Sequence, residues 1–311
     1  MLAAFCAAGV PVLAAAQSEL SVYGYLDLGI AKESGSPARL DRGYNNWLGI
    51  RGKEQLGNGL TALFNLETRF KPDTGETERP LKALQGESTV GLTSALLGTL
   101  RFGRALTPLW HTIWMYEPWA NSGFNASLAA YQTGRYSSDG IRDEELDYAD
   151  FSRVSDAIFY STPTLSGLTV HASAKIDRDV RDRRRVAGLS IDYTRSGFSG
   201  MLAYEKNANS DTIRLLGASY KFGRLTLMGS YARNRRWQET RERTYVVAAT
   251  YAFGANTLRT GYGSNRENGN HKMSVGYIRH LSKRTGLYAD LYRERIEGSS
   301  NGAAVGITHS F

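Results

Sequence analysis

Residues 302–311 read Gly302-Ala-Ala-Val-Gly-Ile-Thr-His-Ser-Phe311. Val305, Ile307 and Phe311 share one parity; Ala304, Gly306, Thr308 and Ser310 share the other. A β-strand sends successive side chains to opposite faces. This one therefore shows large apolar groups on one side and small, mostly polar groups on the other. An aromatic residue closing such a strand leaves no soluble tail. That ending is expected of a membrane β-barrel; the competing reading is an edge strand of a soluble β-sandwich.

The same alternation recurs upstream in segments of about ten residues. Val22, Leu26, Leu28 and Ile30 oppose Tyr23, Tyr25 and Asp27. A second strand runs from about Tyr44 to Glu54, with Leu48 and Ile50 opposite Arg51 and Lys53. A third sets Ala62, Phe64 and Leu66 against Asn65, Glu67 and Arg69. Between them, Leu56-Gly-Asn-Gly59 is a tight turn, because Asn-Gly suits the positive-φ positions of a hairpin. Connections alternate in length. Short ones fall near Gly57, Leu97, Pro163, Ser196, Gly223, Gly254 and Ser282. Longer charged ones fall near 33–41, 73–82, 178–183, 207–211, 234–242, 265–270 and 293–301. Short turns at one end and long loops at the other are the barrel pattern. The spacing predicts an all-β, 16-stranded antiparallel transmembrane barrel at roughly eighteen residues per strand and connection, with about fourteen strands as the alternative count.

Met1 to Leu13 is apolar, and Ala14-Ala-Ala16 precedes Gln17-Ser-Glu19. This reads as a signal peptide over 1–16, too short to span a bilayer. No Lys or Arg precedes its apolar run, so the expected start lies upstream and the segment is truncated. The rest, 17–311, is expected to be a single barrel domain. The one cysteine, Cys6, lies in the signal segment, which leaves the mature chain without disulfide or thiol chemistry.

The chain is 41% hydrophobic, yet nothing after the signal approaches the ~18 apolar residues of a membrane helix. A barrel hides its apolar face by alternation, so its average composition looks soluble. The net charge of +8 fits an anionic membrane surface, acidic solutes or nucleic acid. An exported barrel excludes nucleic acid. The histidines, at 111, 171, 271, 280 and 309, show no metal-ligand spacing. No catalytic motif or phosphate loop is present, so neither catalytic residues, a metal nor a cofactor is expected.

One connection breaks the scheme. Residues 107–152 carry Trp110, Trp114, Trp119, Tyr116 and Tyr131 and an acidic run of Asp139, Asp143, Glu144, Glu145, Asp147 and Asp150. A loop this long is functional or disordered, and its aromatic content argues against disorder. It is expected to fold into the lumen and narrow it; the alternative is an outer loop shielding the mouth.

Five stretches carry a family resemblance over nearly the whole mature chain. They are Val22-Tyr-Gly-Tyr-Leu-Asp27, Leu48-Gly-Ile-Arg-Gly-Lys-Glu-Gln-Leu-Gly-Asn-Gly-Leu60, Gly98-Thr-Leu-Arg-Phe-Gly-Arg104, Arg153-Val-Ser-Asp-Ala-Ile-Phe-Tyr-Ser-Thr-Pro163 and the terminal strand. In order and spacing they resemble Gram-negative general porins of the β-proteobacterial and neisserial type. The resemblance implies an outer-membrane homotrimer of sixteen-stranded barrels whose third outer loop forms a constriction. It implies basic wall residues at Arg51, Arg104 and Arg153, facing loop acids. Alternation independently turns Arg51, Arg69 and Arg101 inward. It disagrees for Arg104, which shares parity with Leu100 and Phe102; departure of the chain from the barrel at Gly103 would reset its direction. Glu117 and the run from Asp139 to Asp150 are the acidic candidates. Phe311 is implied as the insertion signal read by the barrel-assembly machinery. The implied partners are a homotrimer and the outer-membrane lipids, lipopolysaccharide among them.

The function expected is passive diffusion of small hydrophilic solutes. Arginines in a narrow pore favour small anions. The alternatives are a selective channel for an organic anion or ring-bearing solute, with the loop aromatics as its track, and an outer-membrane enzyme or adhesin.

Overall fold

Gly57, Asn58 and Gly59 all take positive φ, at +89°, +50° and +73°. The Asn-Gly turn thus forms where the sequence places it and sends the chain back antiparallel. The computed structural model describes residues 18–78, 82–120, 126–140, 151–177, 184–236, 241–296 and 298–311. The signal segment, 1–16, lies outside them.

The strands are β1 (Ser18–Glu33), β2 (Arg39–Asp41), β3 (Trp47–Gly57), β4 (Leu60–Arg69), β5 (Glu87–Ser94), β6 (Gly98–Leu106), β7 (Arg153–Ser161), β8 (Leu168–Lys175) and β9 (Ala187–Arg195). They continue as β10 (Phe198–Lys206), β11 (Thr212–Phe222), β12 (Leu225–Arg235), β13 (Arg241–Phe253), β14 (Asn256–Asn265), β15 (His271–His280), β16 (Thr285–Arg295) and β17 (Ser299–Ser310). All seventeen lie in one sheet. The three-residue β2 is a flap on β1, inside the first long connection. The other sixteen pair antiparallel in sequence order, and β1 closes the ring against β17. The second stave starts at Trp47 rather than Tyr44, which lies in the connection before it.

Closure is completed by Phe311. Its amide donates to the Gly24 carbonyl and its carbonyl accepts the Gly24 amide, both at 3.1 Å. A Cβ at Gly24 would lie 2.3 Å from the Phe311 ring, so the missing side chain is the seat of that ring.

Alternation sorts the wall into two faces. Val90 and Val247 are 61% and 64% exposed on the outward face. Met201, Ala203, Ile213, Leu215, Val246 and Ala248 point inward and are buried. Those inward apolar positions are covered from within by residues of 107–152, as expected of a loop folded into the lumen. That segment carries α1 (Pro108–Thr112), a 3-10 turn (Ile113–Tyr116) and α2 (Ala130–Thr133). No described helix is long and apolar enough to cross a membrane, and the crossing segments are strands.

Candidate functional site

The inward loop is held first by apolar burial. Leu109, Ile113 and Tyr116 are fully buried in a cluster with Met201, Ile213 and Leu215. Trp119, Leu128 and Tyr131 form a second cluster with Val246 and Ala248. Each such side chain contributes about 1.5–3 kcal/mol. Glycines on the wall make the close approach possible. A Cβ at Gly217 would lie 2.4 Å from the Tyr116 ring, and one at Gly263 would lie 2.5 Å from Tyr131 Cβ.

Wall carboxylates then fix the register. Glu205, fully buried on β10, accepts the Tyr136 hydroxyl at 3.2 Å. It also faces the Thr107 and Ser138 hydroxyls and the Leu109 amide, so one carboxylate gathers the loop's departure and return. Glu242 holds Arg135 at 2.7 Å. Asp290 accepts the Trp119 indole at 3.1 Å and pairs with Arg259, whose guanidinium lies 5.0 Å from the Trp119 ring centre. Glu294 accepts the Tyr131 hydroxyl at 2.9 Å. Trp110 and Trp119 are packed beneath the loop, and Trp114 remains 48% exposed.

The loop's packing falls on β6 and β8–β14 and reaches Asp290 and Glu294 of β16. Inward residues of β1, β3 and β4, such as Tyr25, Trp47 and Asn65, stay partly open to the lumen. There three rings gather. Tyr25 stacks on Trp47 at 4.8 Å, and Tyr44 meets both edge-on at 5.4 and 5.5 Å. Trp47 is paired across the strands with Arg69. Arg69, Arg153, Glu117 and Glu67 all act on the Tyr44 hydroxyl. Burial holds that phenol above its usual range, against the pull of the two arginines. The arrangement sets aromatic faces beside guanidinium groups in a water-filled lumen.

The expected wall residues divide. Arg153 is buried, with Nε donating to the Gly86 carbonyl at 2.5 Å and Nη1 to Ser152 at 2.9 Å. Arg104 is buried beside it, donating to the Gln85 carbonyl and to Ser155, both at 3.1 Å. The expected departure from the barrel at Gly103 does not occur, because β6 continues to Leu106. The register instead shifts at a bulge between Gly103 and Ala105. Gly103 takes φ +127° and Asp156 opposite takes φ +57°. An unpaired residue in a ladder bends the strand and re-aims its neighbours. Arg69 lies 3.7 Å from Glu67, and Arg101 pairs with Glu87 at 2.5 Å over the Phe159 ring. Arg51 is separate: exposed, bonded to Ser21 at 3.2 Å and set over Tyr23.

The expected acids divide too. Glu117 is buried and accepts the Trp119 and Leu128 amides and the Ser127 hydroxyl at 3.1–3.3 Å. Its charge is therefore committed to the loop's own backbone. Asp139 accepts the Ser137 hydroxyl at 2.6 Å. Asp143, Glu144, Glu145, Asp147 and Asp150 lie outside the described residues.

Sequence reading missed Glu205, Glu242, Asp290 and Glu294. A signal existed: the inward parity of β10–β13 carries Met201, Ile213, Leu215 and Val246 among its polar residues, where an open lumen would be polar throughout, which marks the wall the loop covers.

A closed barrel with lipid-ready outer face, polar lumen and inward-docked loop defines a class: an outer-membrane channel. The model of Gram-negative porins matches residues 2–299, and the chain belongs to that family. Membership places it among diffusion channels of the outer membrane. It is 27% identical to outer membrane porin protein 32 of Delftia acidovorans, over 93% of this chain and 87% of the relative. It is 26% identical to an outer membrane porin of Bordetella pertussis, over 75% and 68% respectively. Its fold matches the anion-selective porin from Comamonas acidovorans with TM-score 0.82, covering 95% and 100%, at 23% identity.

Proposed function

We propose that the channel prefers anions, and that Arg69 and Arg153, supported by Arg104, line its narrowest passage. The supporting observation is the charge balance beside Tyr44. Two guanidinium groups act there against Glu67, which lies 3.7 Å from Arg69, and Glu117, which is engaged by two amides and a hydroxyl of its own loop. An arginine keeps its charge at any working pH. At ~4 Å and an effective dielectric of 20, one charge acts on another by about 4 kcal/mol, well above thermal energy. Arg51 and Arg101 act at longer range in this reading, and Asp139 supplies the opposite side. The likeness of the fold to the anion-selective porin from Comamonas acidovorans supports the same preference. Passage of small anions, a homotrimer and removal of 1–16 on export complete the proposal.

Zero-current potentials in a salt gradient across a planar bilayer test it. Arg153→Ser and Arg69→Ser should each lower the chloride-to-potassium permeability ratio by at least about twofold. Arg293→Ser, outward on β16, should leave it unchanged. Equal shifts from all three would place selectivity outside the passage.

A second reading is favoured by the rings of Tyr25, Tyr44 and Trp47: a ring-bearing organic anion would stack there beside Arg69. Conductance of benzoate that saturates with concentration, and loses saturation in Trp47→Ala, would support it. Linear benzoate conductance would leave simple diffusion.

A further inference from the structure

The outer wall carries a second arginine array unrelated to the lumen. Arg214 on β11 is paired directly across from Arg233 on β12, and Arg233 directly across from Arg243 on β13. One step towards the rim, Arg235 is paired with Arg241. All five are exposed, on the parity opposite to the buried Ile213, Ala232, Asn234, Glu242 and Thr244. They therefore face out of the barrel. Residues directly opposite in a ladder have Cβ atoms about 5 Å apart, and like charges so placed are destabilising. Among the described residues only Arg243 has an acidic partner, Glu267 at 2.6 Å. Arg214, Arg233, Arg235 and Arg241 have no hydrogen bond or ion pair with any described residue.

Immediately below the row lies an apolar groove of about 480 Å³. Leu189, Ile191, Leu202, Leu216 and Tyr231 line it, and Arg214 and Arg233 close one end. The charged end is the end of the long connections, since β11 starts and β12 ends there. In outer-membrane barrels that end faces outward. Apolar furrow and cationic head thus lie in the order, and at the depth, of an outer-leaflet lipid.

We propose that this face binds a phosphate-bearing glycolipid of the outer leaflet. Its phosphate sits between Arg214 and Arg233, with Arg235, Arg241 and Arg243 around it, and one acyl chain lies in the groove. Guanidinium forks suit phosphate oxygens bidentately. The anion also turns the like-charge row from a cost into an attraction. A membrane-facing wall without a bound lipid would have no use for five converging arginines above an apolar furrow.

The test uses the full-length protein refolded in detergent without lipid. Purified lipopolysaccharide is titrated in and the bound complex counted by native mass spectrometry. The expected result is a complex weakened about tenfold by Arg214→Ser/Arg233→Ser together. Arg195→Ser, outward at the opposite rim, should bind as the parent does. Lipopolysaccharide stripped of phosphate should lose the same factor. The doubly lysine-substituted Arg214→Lys/Arg233→Lys protein keeps the charge without the fork and should recover part of the binding, which guards against a serine variant that folds poorly. Unchanged binding in a heat-modifiable serine variant overturns the proposal. So does equal affinity for the dephosphorylated lipid. Loss of the oligomer instead of the lipid would make this face a subunit contact and overturn it as well.

Discussion

Gly103 decides where Arg104 points. Its φ of +127° lies where L side chains rarely go, and a Cβ there would stand 2.1 Å from the Ser88 carbonyl oxygen. Gly103→Val should therefore cost on the order of 3 kcal/mol and straighten the bulge. Arg104 would lose the Gln85 carbonyl, and urea unfolding together with altered single-channel conductance would report it. Unchanged stability and conductance would mean that the bulge does not aim the side chain. His111 offers a pH test. It sits on α1, stacked 4.5 Å from His171. Its ring is open to the lumen, yet the barrel wall around it, then the charges of His171 and Arg101, lower its pKa to about 4. A free histidine titrates near 6.5, so the unfolded chain binds the proton first. Stability from the neutral ring is complete above roughly pH 6.5 and is lost as pH falls from there towards about 4. His111→Asn should flatten that part of the acid-stability curve; an identical curve would assign the loss to other groups.

At the scale of elements, the docked loop depends on Glu205. Glu205→Ala would leave the buried Tyr136 hydroxyl unmatched and remove the acceptor shared by Thr107 and Ser138, at a cost of about 1–3 kcal/mol localised in the loop. Brief closures and conductance noise should appear while heat-modifiability of the barrel is retained. Quiet channels in this variant would show that apolar packing alone holds the loop. The staves, their short turns and the inward loop were legible because each rests on a local signal: period-two alternation, Gly-Asn-Gly, and an aromatic-rich insertion. The site was legible only in part. Arg153 was named from the family resemblance and Glu117 from the loop, but Glu117 accepts two amides and a hydroxyl of its own loop, and amides carry no sequence signature. Arg51 has the right parity but sits beside Ser21, because parity fixes the face and says nothing of height along a tilted strand. The ring trio was missed because Tyr44, before β3, joins Tyr25 of β1 only once the sheet has curved.

For the whole molecule, closure is the limiting event. Deleting Phe311 removes both backbone bonds to Gly24 and the ring seated on it. The heat-modifiable oligomer should fall several-fold in membranes, since unpaired strand edges invite association elsewhere. Gly24→Leu, which unseats the ring and keeps the bonds, should give a smaller fall. Normal amounts of both would separate the terminal aromatic from assembly. The seam also sets a timetable. Tyr25 is paired with Trp47 on one side and with Ser310 on the other, so the earliest stave to be synthesised completes its pairing only with the latest. A nascent chain stopped anywhere before β17 is left with two raw margins, and losing one stave is as damaging as losing five. The ring thereby acts as a proof of length: a polypeptide that has not reached β17 has no lesser version of the pore to settle into and is left for proteases.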